Sequence, residues 1–314
     1  MDSRRNFIPL HKKKGFIQKV YEQRVLLLFI MPCIVWLAIF CYGPMGGIII
    51  AFKDYKLSKG VFGSDWVGLL YFKHFFTSPI TMNVVRNTVA ISLIKLVFGF
   101  PIPIIFALLL NEIKNRYYYK TIQTISYLPH FLSWAICIVL FTTLFSVDGG
   151  IVNNVLGKLF GITPVNFFTD PKLVWPMAYL TEMWKETGWN AIIYIAALTG
   201  IEQSLYEAAE MDGATKWQRL WHISLPGIRS TIAILLIMAT GGILNANFDQ
   251  LYLMRNDAVL DTIEVIDTYV YQRSIFNMEY SFGTAMGLMK SIINIALLLI
   301  TNQIIKKMNE ESLF

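Results

Sequence analysis

A helix needs about 20 apolar residues to cross a bilayer, and six stretches of this sequence approach or exceed that length. They cover residues 25–42, 84–110, 125–145, 176–198, 231–253 and 283–305. The second carries Pro101 and Pro103 near its middle, with Arg86 and Lys95 in one half. The fourth holds Glu182, Lys185 and Glu186, and the sixth holds Lys290. This pattern predicts an all-α membrane protein with six transmembrane helices. The first stretch is too long for a cleaved leader and no small-residue cleavage site follows it, so it reads as a retained helix.

Composition agrees. Hydrophobic residues make up 55% of the 314 positions and charged residues 15%, against about 25% charged in an average soluble domain. A mean hydropathy of +0.51 excludes an ordinary cytosolic enzyme, a disordered chain and a nucleic-acid module. Cys33, Cys41 and Cys137 are too few for a disulfide scaffold and lie in apolar stretches. They read as small packing residues.

The net charge of +6 matters less than its placement. Arg4, Arg5, Lys12, Lys13, Lys14, Lys19 and Arg24 precede the first apolar stretch, marking a cytoplasmic end. With both termini inside, 15 Lys and Arg fall in cytoplasmic segments and 8 in outer loops. Residues 1–24 then form a cytoplasmic basic segment, 25–305 the transmembrane domain and 306–314 a cytoplasmic tail. The three outer loops are rich in aromatics such as Trp66, Tyr71, Phe75, Phe76, Phe167, Phe168 and Tyr280. They suit either an interfacial aromatic belt or a docking surface.

The loop over residues 201–229 has the densest local signals. Ser204 and Glu207 have capping-box spacing, as do Thr215 and Gln218. Gly213 between them supplies the left-handed residue that ends a helix. Pro226 fits the first turn of the fifth span. The prediction is two short cytoplasmic helices meeting at Gly213. Their mixed surface, with Leu205, Ala208, Ala209, Met211 and Leu220, needs a partner to cover it. The bland alternative is an amphipathic loop lying on the membrane.

No phosphate-binding loop is present: Gly157-Lys158 is the nearest fragment, with Val152 and Leu159 where the pattern needs Gly and Ser or Thr. No metalloprotease, serine-hydrolase or deaminase motif occurs either. His11, His74, His130 and His222 form no cluster in the sequence. No metal site is expected.

The fifth stretch contains Gly241-Gly242 near its middle, which weakens the helix and lets backbone line a cavity. Asn245, Asn247, Asp249 and Gln250 follow. Asn245, Asp249 and Tyr252 would share one face of a continuous helix. In the fourth stretch Trp184, Glu186, Trp189, Asn190 and Tyr194 cluster with Lys185. Polar residues at membrane depth face the bundle interior or a water path. A pathway for a polar solute could therefore involve Trp184, Glu186, Trp189, Asn190, Tyr194, Asn245, Asn247, Asp249 and Tyr252; helix-to-helix adhesion is the alternative. Arg86, Lys95 and Lys290 are expected to snorkel.

Glu207-Ala208-Ala209, Asp212-Gly213-Ala214, Ile223 and Leu225-Pro226 resemble the EAA loop of ABC importer permeases, where Gly is followed after nine residues by Ile-x-Leu-Pro. The likeness extends to Tyr42-Gly43-Pro44, Gly99 to Pro103, Leu110-Asn111-Glu112, Leu128-Pro129-His130, Phe248-Asp249-Gln250 and Asp267 to Tyr271. Together these resemble the sugar-type, maltose-permease-like family and its polysaccharide and oligosaccharide subgroup. Leu220 departs from the Phe often found in that loop. The resemblance implies an ABC importer type I permease of the bacterial cytoplasmic membrane, with a five-helix core, one extra N-terminal helix and cytoplasmic EAA coupling helices. It implies a carbohydrate substrate, a second permease subunit in a heterodimer, a cytoplasmic ABC ATPase dimer that binds ATP and Mg, and an extracellular solute-binding protein. No cofactor would sit in this chain, membrane lipid would surround it, and nucleic acid is not a partner. Glu207, Ala208, Ala209, Asp212, Gly213, Ala214, Ile223, Leu225 and Pro226 would couple it to the ATPase. The competing class is a stand-alone secondary transporter, but such folds usually show internal repeats, and none is found here.

Overall fold

The computed structural model describes residues 22–307. Arg4, Arg5, His11, Lys12, Lys13, Lys14, Lys19 and residues 308–314 lie outside the described residues. Helices dominate. In chain order they are α1 (Arg24–Phe52), α2 (Leu70–Thr77), α3 (Thr81–Asn111), α4 (Arg116–Phe131), α5 (Trp134–Leu144), α6 (Ile151–Phe160), α7 (Val174–Thr199), α8 (Gln203–Met211), α9 (Lys216–Gly227), α10 (Arg229–Gly241), α11 (Phe248–Met254), α12 (Ile266–Tyr271) and α13 (Tyr280–Lys307). Short single turns connect some of them. A two-stranded antiparallel pair, β1 (Lys53–Asp54) and β2 (Asp65–Trp66), pins the loop after α1. From the first turn of α2, Tyr71 donates to Asp54 of that loop at 2.9 Å. Burial, and then the Asp54 carboxylate, push the Tyr71 phenol up to about 12, so it remains the donor.

All six expected spans contain helix, but their shapes differ from six straight rods. By length and apolarity α1, α3 and α13 can each cross a membrane. The third span is bent, and the fifth is entered through a bend and breaks after Gly241. The α4–α5 pair bends by 105° and the α9–α10 pair by 60°. At 26 residues, α7 is long enough by length, though it carries Glu182, Lys185 and Glu186.

Prolines explain much of the irregularity. Wide turns over Ala38–Tyr42, Lys95–Gly99 and Leu220–Ser224 each end two residues before a proline: Pro44, Pro101 and Pro226. In the second, the Phe100 N–H reaches back five residues to the Lys95 carbonyl at 3.1 Å. A widened turn makes room where the proline ring would clash with the carbonyl four residues back. Hence α1 does not stop at Tyr42 but continues to Phe52. Pro226 belongs to the end of α9 rather than the first turn of the fifth span.

The α4–α5 bend has its own cause. Pro129 lies in the last turn of α4, and the Ser133 hydroxyl accepts the Ile136 N–H at 3.3 Å, starting α5 as a new helix. Before the bend, α4 presses its backbone onto α7. A Cβ added at Gly188 would stand 2.1 Å from the Ser126 carbonyl oxygen, so only glycine permits this crossing.

Apolar packing forms two main layers around α7. Val174, Met177 and Ala178 pack with Ile91, Phe141, Leu251 and Met254 at one end. Ala191, Tyr194, Ile195 and Leu198 pack with Ile104, Leu108, Leu220 and Ile228 at the other. A third cluster joins Phe75 and Val84 to Tyr269, Phe282 and Met286. Only the last turns of α1, near Ala51, reach this core; no residue of Arg24–Leu37 is buried in the chain. Cys33 and Cys41 are therefore exposed on α1, contrary to the packing expectation, while Cys137 is buried.

Candidate functional site

Two regions carry the polar chemistry: the α8–α9 turn, and a cavity among α3, α7 and the broken end of α10.

The turn at Gly213 has φ +78, in the region that disfavours any residue with a Cβ. Its N–H donates to the Glu210 carbonyl at 3.1 Å, and the Ala214 N–H to the Ala209 carbonyl at 2.9 Å. These two bonds are the Schellman closure of a helix. On the far side, Gln218 N–H donates to Thr215 Oγ1 and Thr215 N–H to Gln218 Oε1, completing the expected capping box. The first expected box is absent. Ser204 lies inside α8, whose N-cap is Glu202, because the helix begins two residues earlier than that spacing suggests.

Residues that sequence reasoning passed over hold the two helices together. Glu210 pairs with buried Arg219 at 3.3 Å, and the Tyr206 and Ser224 hydroxyls meet at 2.9 Å. Glu207, Ala208, Asp212, Gly213 and Pro226 are exposed, while Ala209, Ala214, Ile223 and Leu225 are half-buried. Leu205, Met211, Trp217 and Trp221 also project outward.

The cavity encloses about 230 Å³. From α3 it takes Ser92, Lys95, Leu96, Gly99 and Pro103, spaced to share one helical face. From α7 it takes Tyr179, Glu182, Met183, Glu186, Thr187 and Asn190, again one stripe. Ala239, Gly242, Ile243 and Asn245 close it. The double glycine does end α10 and brings backbone to the cavity wall. The chain then turns through Asn247, at φ 59, before α11 begins.

That break corrects the sequence reading of the fifth span. Asn245 is not on a helix with Asp249 and Tyr252, so the three share no face. Asn247, Asp249 and Tyr252 line neither this cavity nor two others beside α7. Tyr252 instead stacks on Phe248 at 5.2 Å and meets Tyr271 edge-on at 5.4 Å. Of the remaining expected residues, Glu186, Asn190 and Asn245 reach the main cavity. Trp189, Asn190 and Tyr194 line an adjoining one, and Trp184 lines a third on the other flank of α7.

Charges inside the bundle are paired rather than snorkelling. Lys95 pairs with Glu182 and also reaches Gln250 Oε1 and the Ala246 carbonyl, both at 3.2 Å. Lys290 pairs with Asp267. Arg86 alone of the three stays exposed. Fully buried Gln250 donates to the Ala178 carbonyl and to Thr181 Oγ1 at 2.7 Å, tying α11 to α7. His130, unassigned from sequence, sits at the α4–α5 bend. Its ring stacks on Trp189 at 4.2 Å and its Nδ1 lies 2.7 Å from Glu186 Oε2. Lys185 flanks the same carboxylate at 3.3 Å. The one usable sequence signal for the α3 wall was the spacing of Ser92, Lys95 and Gly99.

A polar cavity beside a broken helix, with an exposed helix pair beyond the apolar helices, fits the permease of a membrane transporter. Residues 99–310 match the family described as binding-protein-dependent transport system inner membrane component, and the chain belongs to that family. It is thus a membrane permease component of an ABC transporter, with the type I permease fold. The chain is 44% identical to Protein LplB of Bacillus subtilis (strain 168), over 92% of this chain and 91% of that one. It is 39% identical to the polygalacturonan/rhamnogalacturonan transport system permease protein YteP of the same organism, over 96% and 94%. Among solved structures it is similar to a chain of a bacterial alginate ABC transporter in complex with an alginate pentasaccharide-bound periplasmic protein. There the TM-score is 0.87 at 34% identity, covering 96% of this chain and 100% of that one.

Proposed function

We propose that this chain is one permease subunit of an ATP-driven importer and forms half of a translocation pathway for carbohydrate, of oligo- or polysaccharide size. Relatives named for polygalacturonan, rhamnogalacturonan and alginate support that substrate class. The observation that carries the coupling role is the exposed α8–α9 pair closed at Gly213. In this reading it seats in a cytoplasmic ATPase dimer, which binds ATP and Mg. Glu207, Ala208, Ala209, Asp212, Gly213, Ala214, Ile223, Leu225 and Pro226 form or shape the contact, with Glu207 as an ion-pairing residue. A second permease, different in sequence, supplies the other half of the path, and an extracellular solute-binding protein delivers the glycan. Both termini lie in the cytoplasm of a bacterial cell, and lipid covers the apolar spans.

Mechanically, nucleotide closes the ATPase pair and moves the coupling helices. The Glu210–Arg219 and Tyr206–Ser224 contacts make α8 and α9 move as one body. The bundle then shifts between inward-facing and outward-facing states, biased by ATP and glycan. Glu186, Asn190 and Asn245 meet sugar hydroxyls in the main cavity, while Trp189 and Tyr194 offer ring faces to sugar C–H groups. Trp184, Asn247, Asp249 and Tyr252 stand apart from that cavity.

The test is vanadate-sensitive uptake by the assembled complex. Gly213→Asp and Glu207→Lys should each abolish it while the permease remains inserted. Normal uptake by an inserted Gly213→Asp variant sinks the coupling role. Uptake by this chain without an ATPase sinks the importer and favours a stand-alone secondary transporter.

A further inference from the structure

The main cavity contains charge but no free cation among its described lining residues. An ammonium has three protons to donate, and Lys95 is met by three oxygens: Glu182 Oε2, Gln250 Oε1 and the Ala246 carbonyl. Each of these neighbours belongs to this chain, so the ammonium is engaged within it. Two carboxylates, Glu182 and Glu186, share the wall with that single ammonium. The basic side chains next to Glu186, Lys185 and His130, stand behind it and do not line the cavity.

The uncommitted donors are neutral, beside Glu182 Oε2, which accepts no hydrogen bond. The buried hydroxyl oxygens of Ser92 and Tyr179 have no hydrogen-bond partner, although a helical serine ordinarily donates to the carbonyl four residues back. Leaving two hydroxyls buried and unpaired costs stability. A ligand offering hydroxyls of its own would satisfy both. A ligand carboxylate would find no free cation there to replace its lost hydration, only carboxylates already paired within the chain.

We propose that this cavity takes an uncharged, hydroxyl-bearing segment of glycan, bonded through Ser92 and Tyr179, and disfavours uronate carboxylates. The inference rests on the cavity being this chain's share of the pathway. It separates the chain from what the names of its acidic-polysaccharide relatives suggest.

Charge selection can be read without knowing the glycan. Ser92→Cys and Thr187→Cys are placed singly in the assembled complex, in a background of Cys33→Ser, Cys41→Ser and Cys137→Ala. Membranes are treated with methanethiosulfonates bearing a hydroxyethyl, a sulfonatoethyl or a trimethylammonioethyl group, with and without ATP. Each rate is divided by that reagent's rate with free 2-mercaptoethanol. The anionic reagent should lag the neutral one by roughly tenfold or more at both positions. Adding Glu182→Gln, which releases the Lys95 ammonium, should restore most of that loss. An anionic reagent as fast as the neutral one overturns the selection. Failure of all three reagents at both cysteines, in every nucleotide state, instead removes the cavity from the water path and with it the pathway reading.

Discussion

Around Gly213 the helix pair is held by contacts no more than 18 residues apart, the longest being Tyr206 to Ser224. Around Lys95 the partners lie 151 and 155 positions away, at Ala246 and Gln250. The turn of the first region is built from caps and local geometry, while Leu220 anchors its second helix in the bundle. The second exists only once α3, α7 and the segment after α10 have docked. The difference is one of interaction range. A cap or a Schellman closure stabilises its helix whatever surrounds it, whereas an ion pair in a bundle forms only when two distant helices meet at the right depth. The exposed turn at Gly213 and Thr215 can therefore be altered without disturbing the bundle, while the cavity cannot.

This contrast can be broken experimentally, starting with the largest effect. Lys95→Met leaves Glu182 unpaired in the bundle and should destabilise the purified complex by about 3 kcal/mol or more. Lys95→Met with Glu182→Met should recover most of that loss in thermal unfolding; a double variant as unstable as the single one would show that the pair is not a unit. Next comes Gly188→Ala. Its new methyl meets the Ser126 backbone, so overpacking of about 1–3 kcal/mol is expected, with lower yield of folded permease. Normal yield and melting temperature would show that the α4–α7 crossing relaxes freely.

The local region should respond differently. Gly213→Ala forces a Cβ into the left-handed region at about 1–2 kcal/mol. Uptake should fall while the melting temperature of the bundle stays unchanged; a matching drop in both would tie the turn to the bundle core. The smallest effect is Thr215→Ala. Loss of the cap costs about 1 kcal/mol, measurable as faster amide exchange confined to α9. Exchange spreading into α10 would contradict the independence of the turn.

The legibility of the sequence follows the same division. Thr215, Gln218 and Gly213 announced the second helix start and the first helix end, and those signals were right because caps act within a few residues. Ser204 was misleading, since a capping residue already inside a helix has its spacing but not its geometry. The third and fifth spans read as single apolar stretches because hydropathy does not register a bend: Pro129 with Ser133, and Gly241-Gly242 with the left-handed Asn247, turned each into two helices. Once α10 had ended, the helical periodicity joining Asn245 to Asp249 and Tyr252 no longer applied. Lys95 and Lys290 read as snorkelling because their partners, Glu182 and Asp267, are far apart in the chain.

The sequence by itself determined the solvent, the number and order of apolar stretches, the family and the local shape of the coupling turn. Each of these depends on composition or on residues a turn or two apart. Tertiary structure alone decided where the spans bend, which charges cancel, and which polar groups face a common cavity. Glycine at 188 permits the α4–α7 contact, and that contact sets His130 against Glu186. Such outcomes depend on the relative depth and rotation of packed helices, a property of the docked bundle that no single stretch of chain encodes.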